Sequence, residues 1–296
     1  MRRSVLAAGI VFAVLLLGAR DAHGQRAIQL RYDPPTGAMV QALWRHSATS
    51  TVTTPPRGMT VRVVEAIEVT SVTQRSVGRE NGRTVVDVTI DSTLVQVRSG
   101  SGTWETVRAP EGRTTARLVV DDRLRLESVS GGTTAGGQVL GRLRAFASGF
   151  EFPLPEGPVA VGESWVGDVI DPLVALVGVD TEPAAAGWLA KAGAMIARST
   201  FTVDSIVDRE VDTLAYLRVS GSFLPTTLTA PVETAQGHAR IDGGFGARLI
   251  WSTAWHTFVS GAVQRRVRVR VYVGTPEDER EVLTMTAEIA GRFRVQ

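Results

Sequence analysis

Histidines, adjacent carboxylates, an arginine row and clustered tryptophans are the groups in this chain able to do chemistry, and their spacing decides which chemistry. Beyond residue 24 the histidines are His46, His238 and His256. His46 follows Trp44 on one strand phase, His256 adjoins Trp255, and His238 sits near a turn. A metal site needs ligands that converge and partners that orient them. Scattered, hydrogen-bonded histidines are the expectation, with no metal and no other cofactor implied. Asp121-Asp122 is a carboxylate pair or, as adjacent acids at a tight turn, ordinary turn chemistry. Arg266, Arg268 and Arg270 share one strand face. Such a row either captures an anionic head group or partner, or is a charged face that guards a sheet edge. Trp251 and Trp255 lie four residues apart on the phase of Phe245 and Leu249. With Trp44 they form either core or the wall of an apolar ligand cavity. These five are the ligand-binding candidates.

No catalytic residue can be assigned. The chain has no His-Glu-x-x-His, Walker loop, Gly-x-Ser-x-Gly elbow or Gly-x-Gly-x-x-Gly opening a helix. Gly162-Glu163-Ser164-Trp165-Val166-Gly167 has one residue too many for the elbow. The glycine-rich stretch from Asp242 to Gly246 reads as a hairpin or bulge between strands.

The formal charge of +2 misleads until it is divided. Three of the 32 Lys/Arg residues and one of the 30 Asp/Glu residues precede Gln25, which leaves 29 of each in the remainder. A neutral body lacks the clustered excess of cations that nucleic-acid binding requires. The absence of cysteine excludes a disulfide scaffold, thiolate metal sites, a cysteine nucleophile and a lipid-modified N-terminal cysteine. Arg2-Arg3 followed by the apolar run Val5–Leu17 reads as a signal peptide, with Ala22 and Gly24 at −3 and −1 of a cut before Gln25. The run is short for a bilayer span. A periplasmic or extracellular location follows, reached by the general secretory route or, from Arg2-Arg3, the twin-arginine one. Lys191 and Asn81 are the only residues of their types, as a GC-rich bacterial genome would produce.

The elements that must position these groups are strands. Gln264 to Val273 alternates strictly, Leu283 to Val295 alternates again, and Phe245, Ala247, Leu249, Trp251, Trp255 and Val259 share a phase. With turns at Ser260-Gly261 and Gly274–Asp278, these runs predict a three-stranded antiparallel meander. Val61–Val72, Arg83–Val97, Arg117–Val120 and Arg123–Val129 are further strands, with hairpin turns at Asn81-Gly82 and Asp121-Asp122. Phase changes at Val63-Val64 and around Thr93-Leu94-Val95 predict bulges. A helical stripe over Gln138–Phe150 and a capped, alanine-rich stretch over Asp180–Ala197 predict one or two short helices.

The texture also repeats. Ala116–Val120 recurs as Ala247–Trp251, Val129-Ser130-Gly131 as Val259-Ser260-Gly261, Ile67–Val72 as Phe201–Ile206, and Gly37 as Gly162. The offsets run from 125 to 134 in one order, which predicts two similar halves of one curved assembly. The organisation read from the sequence is therefore a signal peptide over 1–24, an N-terminal β half with a terminal helix over 25–155, and a C-terminal β half over 156–296 ending in the meander. The fold class is mainly β, with long curved antiparallel sheets.

Leu154-Pro155, then Val159-Ala160-Val161-Gly162-Glu163-Ser164-Trp165, resembles a segment that recurs in uncharacterised secreted bacterial β-rich proteins. There, a Leu-Pro, a Val-x-Val-Gly-Asp/Glu-x-Trp turn and a second β half follow one another. The two-half layout is also similar in shape to periplasmic lipoprotein and lipid-carrier folds, which implies a curved sheet around an apolar cavity. The functional expectation is a non-catalytic protein that binds an apolar small molecule or lipid, or an envelope protein. An outer-membrane β-barrel is one alternative. A hydrolase with dispersed residues is the other, to be recognised by His46 or His256 meeting a carboxylate and a hydroxyl.

Overall fold

The computed structural model describes residues 26–54, 60–108, 114–131, 152–171, 195–232, 235–274 and 278–296. The strands are β1 (Met39–Thr54), β2 (Thr60–Glu80), β3 (Arg83–Ser99), β4 (Glu105–Arg108), β5 (Thr114–Val120), β6 (Leu126–Ser130) and β7 (Ser164–Asp171). They continue with β8 (Met195–Arg209), β9 (Asp212–Phe223), β10 (Thr226–Val232), β11 (Ala235–Ser252), β12 (Thr257–Val273) and β13 (Arg280–Val295). All join one antiparallel sheet in the order β6-β5-β3-β2-β1-β13-β12-β11-β9-β8-β7, with β4 pairing β3 and β10 pairing β11. The sheet is not closed: β6 and β7 are its two edges.

The chain walks outward from β1 to β6, crosses to β7, and walks back to β13, which pairs with β1. Each half thus forms one wing. Some local details recur in both wings at spacings near those of the sequence matches. Gly37 and Gly162 both take a left-handed φ (83° and 87°), and their N–H groups donate to Ser76 of β2 and Val203 of β8. Leu124 and His256 both have positive φ in the turns that follow β5 and β11. Those turns fix the offset at 132, close to that of the Ala116 and Ala247 match. The match of Ile67–Val72 to Phe201–Ile206 is displaced by several residues, because the hairpin turns at 81–82 and 210–211 set that offset at 129.

The sheet is curved, and the lengths require it. The Leu154 N–H donates to Arg123 O at 3.0 Å beside one edge, and the Gly162 N–H donates to Val203 O at 2.8 Å beside the other. Eight residues span at most about 27 Å. Eight inter-strand spacings from β5 to β8 would cover about 38 Å if the sheet were flat. The segment from Phe152 to Gly162 is therefore a strap that draws the wings together at the end bearing the hairpin turns. The N-terminal segment runs beside it, bridged at Ile28 and Val159 and hydrogen-bonded through the Tyr32 N–H to Asp122 O.

Several sequence expectations change. The meander is present, but its first turn is Thr253–His256; Ser260-Gly261 lies within β12. Gly261 is small to make room: a Cβ there would come 2.2 Å from the Phe293 ring. Trp255 consequently leaves the strand phase for the turn, and Val259 does not share the phase of Trp251. Asp242–Gly246 is an uninterrupted part of β11, where a Gly243 side chain would meet the Arg266 carbonyl of β12 at 2.0 Å. The β2–β3 register shifts fall at Ser71/Val72 and Ser76/Gly78. The first skips Asp91, just before the predicted change at Thr93, and neither falls at Val63-Val64. The Gln138–Phe150 helix lies outside the described residues, as does Asp180–Ala197 except for Met195–Ala197, which belong to β8. Among the described residues there is no helix.

Candidate functional site

Alternation gives the sheet an inner and an outer face, and the inner phase is apolar from wing to wing. Val88, Leu118, Val72, Met285, Val267, Leu249, Leu217 and Val203 are each 2% exposed or less. Toward the strapped end the inner face is paved with rings. Phe152 of the strap lies 5.8 Å from Phe258, 6.1 Å from Phe245 and 6.4 Å from Phe201. Trp165 stacks on Phe201 at 5.2 Å while its indole N–H donates to Pro153 O at 2.8 Å. Trp44 stacks on Phe293 at 4.5 Å, and Trp251 meets Phe258 edge-on at 5.0 Å. The Trp251 indole N–H is buried with no acceptor among the described residues.

Of the five residues singled out by sequence, Trp44, Phe245, Leu249 and Trp251 lie on this inner face and are buried. Trp255 does not join them; its turn leaves it 49% exposed. Phe152, Phe201 and Phe293 complete the ring floor. Phe293 continues the alternation of Leu283 to Val295, whereas Phe201 is marked in the sequence only by the repeat, and Phe152, just ahead of Pro153, carries no periodic signal.

A polar island interrupts the apolar lining. Register places His46 of β1 directly opposite Glu68 of β2 and opposite Gly291 of β13. A Cβ at Gly291 would lie 2.6 Å from the imidazole, so glycine makes the space His46 fills. Arg265 shares the inner phase of β12 with Val263 and Val267, and lies over the Phe245 ring at 5.9 Å. Burial, helped by the Arg265 charge, lowers the His46 pKa to about 3, so the imidazole is neutral at pH 7. Glu68, 2% exposed, accepts from the Thr70 hydroxyl at 3.2 Å, and Thr70 also bonds Thr93 at 3.2 Å. A histidine, a carboxylate and hydroxyls thus meet in one interior. Among the described residues neither Thr70 nor Thr93 is hydrogen-bonded to His46, and an imidazole so hard to protonate is a weak general base.

The other histidines stand apart. His238 stacks on Tyr272 at 5.1 Å and pairs with Glu279, and His256 Nδ1 lies 3.3 Å from Arg31 O. Among the described residues no three metal-ligating side chains converge. Asp121 is a turn residue, its carboxylate accepting from the backbone N–H groups of Arg123 and Arg125. The Arg266–Arg270 row faces outward on β12. That strand lies inside the sheet between β11 and β13, so the row guards no edge. Its charge is largely matched, with Arg266 paired to Glu288 at 3.5 Å and Arg270 to Asp242 at 2.8 Å.

No protein-family model matches the chain, and no curated protein matches it in sequence. Among solved structures it is similar to one described as lipid-protein interactions in lipovitellin, over 89% of its own length at 9% identity and a TM-score of 0.51. The chain spans only 25% of that protein, and the likeness is one of fold. It also aligns with DynF from the dynemicin biosynthesis pathway of Micromonospora chersina, at 9% identity and a TM-score of 0.22, covering 92% of this chain and 86% of that one. An outer membrane channel from Pseudomonas putida F1 aligns at 8% identity and a TM-score of 0.27, over 93% and 99% of the two chains. Those two scores carry no weight for fold or function.

Proposed function

We propose that this chain is an exported, non-catalytic binding protein that holds a lipid or similar apolar molecule against its concave sheet face. The observation that carries the reading is the largely apolar inner phase of an unclosed, strapped sheet, with its ring floor and its polar island. An apolar surface with a few placed polar groups is how small-molecule sites hold and orient their ligands. His46, Glu68 and the Trp251 N–H are the groups to meet the polar part of such a ligand. The likeness in fold to a protein solved for its lipid–protein interactions supports the ligand class. Arg2-Arg3 and Val5–Leu17 support export. A transmembrane barrel fits less well, because it needs closed edges and an outward apolar band. Here the edges are apart and the outer face carries ion pairs such as Arg117–Asp87 and Arg198–Asp168.

Residues 25–296, purified without detergent and extracted with organic solvent, are expected to release a lipid at about one per chain by mass spectrometry. A preparation free of lipid that also fails to take up a fluorescent phospholipid would overturn the reading.

A further inference from the structure

The outer face follows a rule that one region breaks. Where charged residues oppose each other across strands, an arginine meets an acid: Asp87 with Arg117, Glu65 with Arg98, Asp168 with Arg198, Arg266 with Glu288. Arg240 and Arg270 do oppose one another, but each has its own carboxylate, Glu279 and Asp242. Near the strapped end the register instead sets Arg45 of β1 against Arg292 of β13, and Arg248 of β11 against Arg218 of β9. Arg294 follows two residues along β13. Only Arg218 is matched, by Asp204 at 3.1 Å. Arg45, Arg248, Arg292 and Arg294 have no ion-pair partner among the described residues. Like charges directly opposed across strands destabilise a sheet, so this cluster is held at a cost that an anion would relieve.

These four arginines line a groove of about 830 Å³, where the one acidic residue, Asp204, is already paired with Arg218. Its floor includes apolar Leu43, Ile250 and Ala262. Leu43 is 40% exposed and lies directly opposite Arg294, and Met39, on the same outward phase of β1, is 63% exposed. A soluble anion would gain nothing from that apolar surface. Phosphates arrayed above acyl chains use both parts, since basic side chains sit at the head groups while apolar ones enter below them. We infer that this groove is where the chain docks on an anionic phospholipid bilayer. The docking does not depend on whether the concave face holds lipid.

The test is flotation of residues 25–296 with phosphatidylcholine vesicles made with or without phosphatidylglycerol. The expected result is binding to the anionic vesicles alone, weakened by salt. An Arg45→Gln/Arg292→Gln chain should bind about 30-fold more weakly, because each basic residue at an anionic surface is worth roughly 1 kcal/mol. Arg266→Gln/Arg268→Gln, on the same face outside the groove, should bind as the parent does. Arg292→Glu supplies the missing acid opposite Arg45, so it should raise Tm while removing vesicle binding, which separates docking from misfolding. Equal binding to both vesicle types, no binding to either, or equal loss in the control variant overturns the proposal. So does thermal stabilisation by inorganic phosphate without vesicle binding, which assigns the groove to a soluble oxyanion. Lipid uptake in the extraction experiment would survive any of these failures.

Discussion

His46 shows how a residue's neighbours, rather than its type, set its chemistry. In the sequence it is one of three scattered histidines; in the fold it faces Glu68 across a strand pair and rests on Gly291, under the influence of Arg265. Its pKa falls from 6.5 to about 3, so between those values the unfolded chain binds a proton the folded one refuses. Unfolding is then favoured as pH drops, and stability is lost from about pH 6.5 down toward 3. Urea titrations across that window should show the decline, and His46→Gln should flatten it. An unchanged slope in the variant would mean that other groups dominate. Gly291 was unreadable beforehand because a strand glycine signals a bulge as readily as a close neighbour. Only the cross-strand register identifies the imidazole as that neighbour.

At the scale of elements, turns were legible where their chemistry is local. Asn81-Gly82 takes φ values of 50° and 79°, as a two-residue hairpin of that sequence should. Asp121 ends β5 by gathering two backbone N–H groups and the Arg125 side chain at 2.9 Å. Asp121→Ala removes those bonds and should cost about 1 kcal/mol in chemical denaturation, whereas Asp122→Ala should cost much less. Similar losses in both variants would argue against this role. The turn at Thr253–His256 was missed because its signals are not local. Asp212, from the neighbouring hairpin, accepts from the Ser252 hydroxyl at 2.6 Å and the Ala254 N–H at 2.9 Å. A residue forty positions away decides where β11 ends, and with it whether Trp255 faces inward or out.

Across the whole molecule, the repeat in the sequence implied two halves but not how they meet. They join within one sheet: β13 inserts between β1 and β12, so the first and last strands are neighbours at the sheet centre. Alternation records which face a strand buries and is silent about which strand lies beside it. The consequence concerns order of stability. The β1–β13 pair, supported on both sides, closes a loop of nearly the whole chain, while β6 and β7 each have one neighbour. Edge strands should open locally, whereas β13 amides should exchange only through global unfolding. Native-state hydrogen exchange should therefore find the greatest protection in Leu283–Phe293 and clearly less in β6 and β7. The strap should couple the wings, so Phe152→Ala, which removes a ring touching three others, should lower global stability by about 3–5 kcal/mol. Protection should then fall in β8 and β12 together rather than at the strap alone. Loss confined to the strap would mean that the curvature is set by the sheet itself, through its bulges at Ser71, Val203 and Ile250.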